Sequence, residues 1–241
     1  MIKHLILFYL AAAAAAVSGQ ETCTAIKAPA PPKGVASIWG QQGNFWPQGA
    51  QLKVRFMTGT ARQKAEAWKR FRVIDQLVNL SFQQVTSGPT DIRVRFDKGL
   101  GHWSFVGTGN RAVASDAATM NLDLTAGIFG DLAEEWDRVV QHEVCHAIGM
   151  EHEHQHPRAG IPWDKEAVYK YYERTQGWSR PQIDAQVLRR YTGSRFKGTT
   201  FDPSSLMQYP VPAELTGGKF SVGWNKKLST TDILFLRSVY P

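Results

Sequence analysis

The chain changes its hydrophobic rhythm several times. Leu52, Val54 and Phe56 are separated by Lys53 and Arg55, a period of two that marks a strand with one buried face. From Thr60 to Leu80 the period lengthens. Ala61, Ala65, Trp68, Phe71, Ile74 and Val78 recur at steps of three or four, which predicts an amphipathic helix. Leu80 to Val85 is a short apolar-leaning run, and Asp91 to Phe96 alternates again, so both predict strands. His102 to Gly107 and Ala118 to Leu124 are two further strand candidates. The helical period returns from Glu134 to Gly149 through Val139, Val140 and Val144. The last periodic stretch, Leu228 to Tyr240, opens with Ser229 and Asp232 in a variant of the capping-box spacing. Five strands, two long helices and a largely irregular C-terminal half ending in a helix predict an α/β (α+β) domain. Its sheet should be twisted and mixed, with a helix packed on it.

The start of the chain follows neither period. Lys3 and His4 precede an apolar run from Leu5 to Val17, then Ser18 and Gly19, which reads as a secretory signal peptide over residues 1–19. The run is shorter than the roughly 20 residues a spanning helix needs, so no stable membrane insertion is expected. Residues 20–36 contain Ala28-Pro29-Ala30-Pro31-Pro32, which cannot build a core element and predicts an extended linker or removable prosegment. One domain remains, over residues 37–241, which we expect to be monomeric. With 43% hydrophobic and 20% charged residues among 241, it has the balance of a globular protein. Lys and Arg number 28 against 21 acidic residues, giving +7, but no long basic run occurs, so nucleic acid is not the expected partner. Two cysteines, Cys23 and Cys145, exclude a disulfide-dense scaffold.

Five of the 7 histidines fall between His142 and His156. On a helix, His142 and His146 share a face and can present imidazoles to one ion. Gly149 lets the chain leave the helix with a positive φ and brings His152 round as a third ligand. Three neutral imidazoles leave the fourth tetrahedral position of Zn²⁺ open for water, as in a catalytic site. Glu143, beside the first ligand, can take a proton from that water. A positioned base adds about 10²–10⁴-fold in rate. In a chain of this composition the three histidines, Glu143 and Gly149 arise at this spacing by chance about 2 times in 100,000.

This extended histidine motif, His152-Glu153 and the downstream Ser205-Leu206-Met207-Gln208-Tyr209 together resemble the astacin family of secreted zinc endopeptidases, in the metzincin clan. Gly101 to Gly107 and Phe45-Trp46 extend the resemblance, which covers most of residues 37–241. It implies a metzincin-like zinc protease domain that acts on protein or peptide substrates. His142, His146 and His152 would bind one zinc ion, and Glu143 would be the general base. Met207 would lie in a tight turn beneath the metal. Tyr209 would be a reversible fifth ligand whose phenol swings away to hydrogen-bond the developing oxyanion. Glu153 would have a structural role, meeting the amino terminus freed by prosegment removal. The strand from His102 to Gly107 would be the sheet edge to which an extended peptide adds antiparallel. His154 and His156 are read as loop residues.

The sequence also departs from the family. His102 stands where a paired cysteine is usual, so the family's two disulfides are absent. The Phe-x-Gly-Asp aspartate of the usual inhibitory prosegment is absent too, and Phe129-Gly130-Asp131 lies inside the domain at the wrong spacing. Cys23 could fill the open zinc position as a thiolate and confer latency. The competing readings are a bridge to Cys145 or a spare thiol. Asn79-Leu80-Ser81 matches a glycosylation sequon. Two other classes compete with the protease reading. A zinc-binding protein acting by adhesion or metal capture has no need of Glu143. Charge-driven binding to nucleic acid or membrane must weaken steeply with salt.

Overall fold

Alternation at the front of the domain becomes a sheet. The structure is a computed structural model that describes residues 24–26, 44–124, 133–191, 198 and 200–241. The signal segment, Cys23 and the string 129–131 lie outside the described residues. The strands are β1 (Thr24–Ile26), β2 (Gln51–Phe56), β3 (Ser81–Gln84), β4 (Ile92–Arg95), β5 (Trp103–Phe105) and β6 (Met120–Asn121). Their order across the sheet is β1-β5-β6-β4-β2-β3. Strands β3, β2, β4 and β6 run parallel to one another, and β5 pairs antiparallel with β6. The domain thus supplies the five strands of a mixed sheet.

The sixth strand comes from the segment ahead of the domain. Thr24, Ala25 and Ile26 pair in parallel with Trp103, Ser104 and Phe105. Part of the stretch expected to be an extended linker or prosegment is therefore a strand, and the edge of β5 expected to stand open is covered. The reason is local: an edge strand presents unpaired N–H and C=O groups, and three extended residues suffice to meet them.

Along β2 the predicted alternation holds: Leu52, Val54 and Phe56 are buried, while Gln51 and Lys53 are exposed. Strand β4 departs from it, because Arg93 is also buried. Its guanidinium donates to the carbonyls of Thr90, Asn110, Val113 and Ala117, which lets a cation lie under the 107–117 loop. Helix α1 (Ala61–Asp75) starts at a capping box between Thr60 and Gln63. It stops short of Leu80, because Leu77 N–H turns back to the Ile74 carbonyl and the Asp75 carboxylate accepts from Phe82 N–H at the start of β3. Ala67, Phe71 and Ile74 face the sheet, with Phe71 edge-on to Phe82 at 5.2 Å. Helix α2 (Ala133–Ala147) packs beside α1 and carries the histidine motif.

The C-terminal half holds more helix than its pattern predicts. Helix α3 (Lys165–Gln176) is capped by Asp164 and closed by Gly177 at φ 64°. Helix α4 (Arg180–Ile183) and a π turn (Asp184–Leu188) follow, and α5 (Thr230–Val239) ends the chain. Val168, Tyr169, Tyr172, Ile183, Val187, Val211 and Leu215 form a second hydrophobic cluster, separate from the one between the sheet and α1, α2 and α5. Among the described residues no helix is long and apolar enough to cross a membrane.

Candidate metal centre

Helix α2 places His142 and His146 one turn apart, with ring centroids 4.7 Å apart and nearly perpendicular. The helix then stops abruptly. Gly149 N–H donates to the His146 carbonyl and Met150 N–H to that of Cys145, with Gly149 at φ 112°. This is the Schellman pattern, in which a residue with no Cβ takes the left-handed position. Trp46 Nε1 donates to the Ala147 carbonyl at 2.8 Å and satisfies another free helix end. The turn brings His152 back, its Nε2 3.1 Å from Nε2 of His146. The donor atoms of His142, His146 and His152 all lie within 4.8 Å of one another, and all three rings are buried.

The tautomers follow from the partners. His142 Nδ1 donates to the Leu206 carbonyl at 2.9 Å, and His146 Nδ1 to the Met150 carbonyl at 2.7 Å. A carbonyl can only accept, so in both rings the proton sits on Nδ1 and Nε2 carries a lone pair. Burial, reinforced by neighbouring His146, holds His142 well below the ordinary imidazole pKa, against the opposing pull of the Leu206 carbonyl. The ring is therefore neutral, the form that binds a metal. Its Nε2 is buried with no hydrogen-bond partner among the described residues, an arrangement that costs about 1–3 kcal/mol unless something meets it. A cation at the centre of the three rings meets it. Tetrahedral zinc with Zn–N of about 2.0–2.1 Å sets its nitrogens about 3.4 Å apart, close to the His146–His152 spacing. The donor set fits zinc.

The other residues singled out in the sequence lie as follows. Glu143 is fully buried and follows the first ligand on α2. Tyr209 is buried with its ring against two imidazoles, 4.2 Å from His152 and 4.4 Å from His154 by centroids. Met207 is fully buried in a tight turn closed by Gln208 N–H on the Ser205 carbonyl. Glu153 accepts a hydrogen bond from Asp202 N–H at 2.8 Å, and its own N–H donates to the Met207 carbonyl. His102 is buried and accepts from Asp123 N–H, a link within the sheet. Cys145 is a free thiol, fully buried in the larger core, and burial raises its pKa well above the usual value.

Two contributions are not apparent from the histidine spacing. His154 and His156, read as loop residues, are buried. His154 stacks on Tyr209 and donates from Nε2 to the Gln186 carbonyl, while Gln155 donates to that of Ala185, tying the site to the second cluster. Burial holds His154 down to about 4. The other contribution is Asp232, whose carboxylate accepts from Leu206 N–H and Ser205 Oγ. Its place in a capping box was visible, but its reach across to residues 205 and 206 depends on tertiary structure.

Comparison with solved structures gives two of myroilysin. One is 35% identical with a TM-score of 0.79, covering 83% of this chain and 97% of that one. The other is 32% identical with a TM-score of 0.64, covering 90% of this chain and 100% of that one. High choriolytic enzyme 1, a hatching enzyme zinc-protease from the medaka fish Oryzias latipes, shares the fold. It is 15% identical with a TM-score of 0.55, covering 84% of this chain and 96% of that one. No family model and no curated protein sequence matches the chain.

Proposed function

Because this chain belongs to the astacin family of zinc metalloproteases, we propose that it is a secreted endopeptidase cutting extracellular proteins or peptides, held latent by the segment ahead of its domain. The observation that carries the proposal is Glu143, a buried carboxylate that is not a ligand, next to the first of three convergent imidazoles. A site built only to hold metal has no use for it. Zinc held by His142, His146 and His152 supplies Lewis-acid polarisation of the scissile carbonyl and brings the pKa of a water down to about 7. Glu143 takes the proton from the attacking water and later delivers it to the leaving amine. The Tyr209 phenol turns from its place beside His152 and His154 to donate to the developing oxyanion.

Secretion rests on residues 1–19, with their basic start, apolar run and small-residue exit. Latency is supported by β1. A substrate strand adding antiparallel to β5 needs the N–H and C=O groups that Thr24–Ile26 occupy in the parallel sense, so the two exclude each other. Cys23 directly precedes that strand, and its thiolate is a suitable zinc ligand. Removing the segment frees both the edge and the metal. The test is to incubate the trimmed protein with denatured gelatin or casein, with and without a zinc chelator. Cleavage that the chelator abolishes and zinc restores is the expected result; chelator-resistant cleavage, or none, overturns the reading.

A further inference from the structure

The first zinc ligand has a second support that begins on the last helix. Met207 N–H donates to Ser205 Oγ at 3.0 Å, and that hydroxyl donates to Asp232 Oδ1 at 2.6 Å. The peptide that carries Met207 N–H also carries the Leu206 carbonyl, which accepts from His142 Nδ1 at 2.9 Å. Carboxylate, hydroxyl, peptide and imidazole therefore form one unbroken line with every donor pointing the same way, from His142 to Asp232. The other carboxylate oxygen accepts from Leu206 N–H at 2.8 Å and from Ser229 N–H at 2.9 Å, which fixes the same turn from its other side. Asp232, Ser205, Leu206, Met207 and His142 are all buried.

From this geometry we infer that Asp232, acting through Ser205 and the Leu206–Met207 peptide, is a positioning residue for zinc. It plays the part that a carboxylate bonded directly to a ligating histidine plays elsewhere. Such outer partners fix the ring's tautomer and raise the basicity of the ligating nitrogen, and losing one lowers metal affinity about 10–100-fold. Hydrogen bonds in a line polarise one another, so the negative end on Asp232 is felt at the imidazole although two groups intervene. A cap alone would need only the bonds between Asp232 and Ser229. The bonds to Ser205 and Leu206 serve the turn.

The inference rests on the zinc reading, and the experiment separates the two. Zinc affinity is measured by competition with a chromogenic chelator for the parent protein and for Ser205→Ala, Asp232→Asn and Thr60→Ala. Ser205→Ala breaks the line at the hydroxyl and leaves the bonds between Asp232 and Ser229 intact. Thr60→Ala removes a cap of the same kind on α1, whose hydroxyl accepts from Gln63 N–H. We expect Ser205→Ala and Asp232→Asn to bind zinc at least about 10-fold more weakly than the parent, and Thr60→Ala to bind it as the parent does. Should Asp232→Asn fail to fold, Ser205→Ala decides alone. Affinity in Ser205→Ala equal to that in Thr60→Ala overturns the inference while leaving the zinc site standing. A parent protein that binds no zinc overturns both.

Discussion

Replacing Gly149 by alanine should damage both the fold and the metal centre. Gly149 sits at φ 112°, where a Cβ is strained at about 1–2 kcal/mol whatever surrounds it. Here the surroundings are occupied as well. An added Cβ would stand 2.7 Å from Cδ1 and 2.9 Å from Cε1 of Phe45. That ring lies edge-on to Tyr240 and tilted against Phe235, so it has little room to give. Overpacking of this kind adds about 1–3 kcal/mol. Together the terms reach about 2–5 kcal/mol, which at about 2–4 °C per kcal/mol for a chain of this size lowers Tm by roughly 4–20 °C. The displacement also reaches chemistry, because the next residue's carbonyl holds His146 Nδ1 and the same turn delivers His152.

The comparison that isolates the packing term is Gly88→Ala. Gly88 has φ 81° with nothing within 4 Å of the added Cβ, so it bears the strain alone. Thermal unfolding should rank Gly149→Ala well below Gly88→Ala, and chelator competition should show zinc weakened only in the former. Adding Phe45→Ala to Gly149→Ala should return part of the loss, a coupling of about 0.5–3 kcal/mol. If Gly149→Ala melts no lower than Gly88→Ala and holds zinc as tightly as the parent, the argument for this turn is wrong.

Three further outcomes are expected. Glu143→Ala should keep zinc and the fold yet lose about 10²-fold or more in kcat on a peptide substrate, and near-normal turnover would refute its role as base. Tyr209→Phe removes only the phenol oxygen, so kcat should fall about 10²–10³-fold with KM and zinc affinity held, whereas a change in KM alone would count against oxyanion stabilisation. Cys23→Ser should raise the activity of the untrimmed protein; if it stays silent until residues 20–36 are cut away, the thiol is no switch and blockage by β1 accounts for latency.

The metal centre was legible because its chemistry is local. His142, Glu143 and His146 need only one helical turn, and Gly149 announces where that helix must end. The strands were legible for a similar reason: Leu52, Val54 and Phe56 repeat with the pleat. What could not be read depends on partners far away in the chain. The pairing of Thr24–Ile26 with β5 leaves no mark on an alanine- and proline-rich stretch, since extended backbone accepts almost any side chain. Burial of Arg93 contradicts the alternation it sits in, and four carbonyls, three of them from the 107–117 loop, reconcile the two. Helix α3 was hidden because its buried residues are Val168, Tyr169 and Tyr172, a narrow face among charges, although Asp164 and Gly177 mark its ends. His154 looked like loop because nothing in its neighbourhood of sequence foretells Gln186 or Tyr209.

The three convergent histidines are held in unequal ways, and this links metal binding to the folding of the C-terminal half. His142 and His146 ride on a helix packed into the larger core, so their spacing is set once α2 forms. His152 lies beyond the helix, in chain fixed by Glu153, whose N–H meets the Met207 carbonyl and whose carboxylate meets Asp202 N–H. His142 in turn takes its ring orientation from Leu206. Residues 202–207 therefore touch the site from both sides, and they are themselves anchored on Asp232 and Ser229 at the head of α5. A helix carrying the first two histidines offers a poor zinc site until that turn has docked. Zinc binding energy then adds to the stability of the docked state rather than to α2 alone, since a ligand stabilises whichever state binds it.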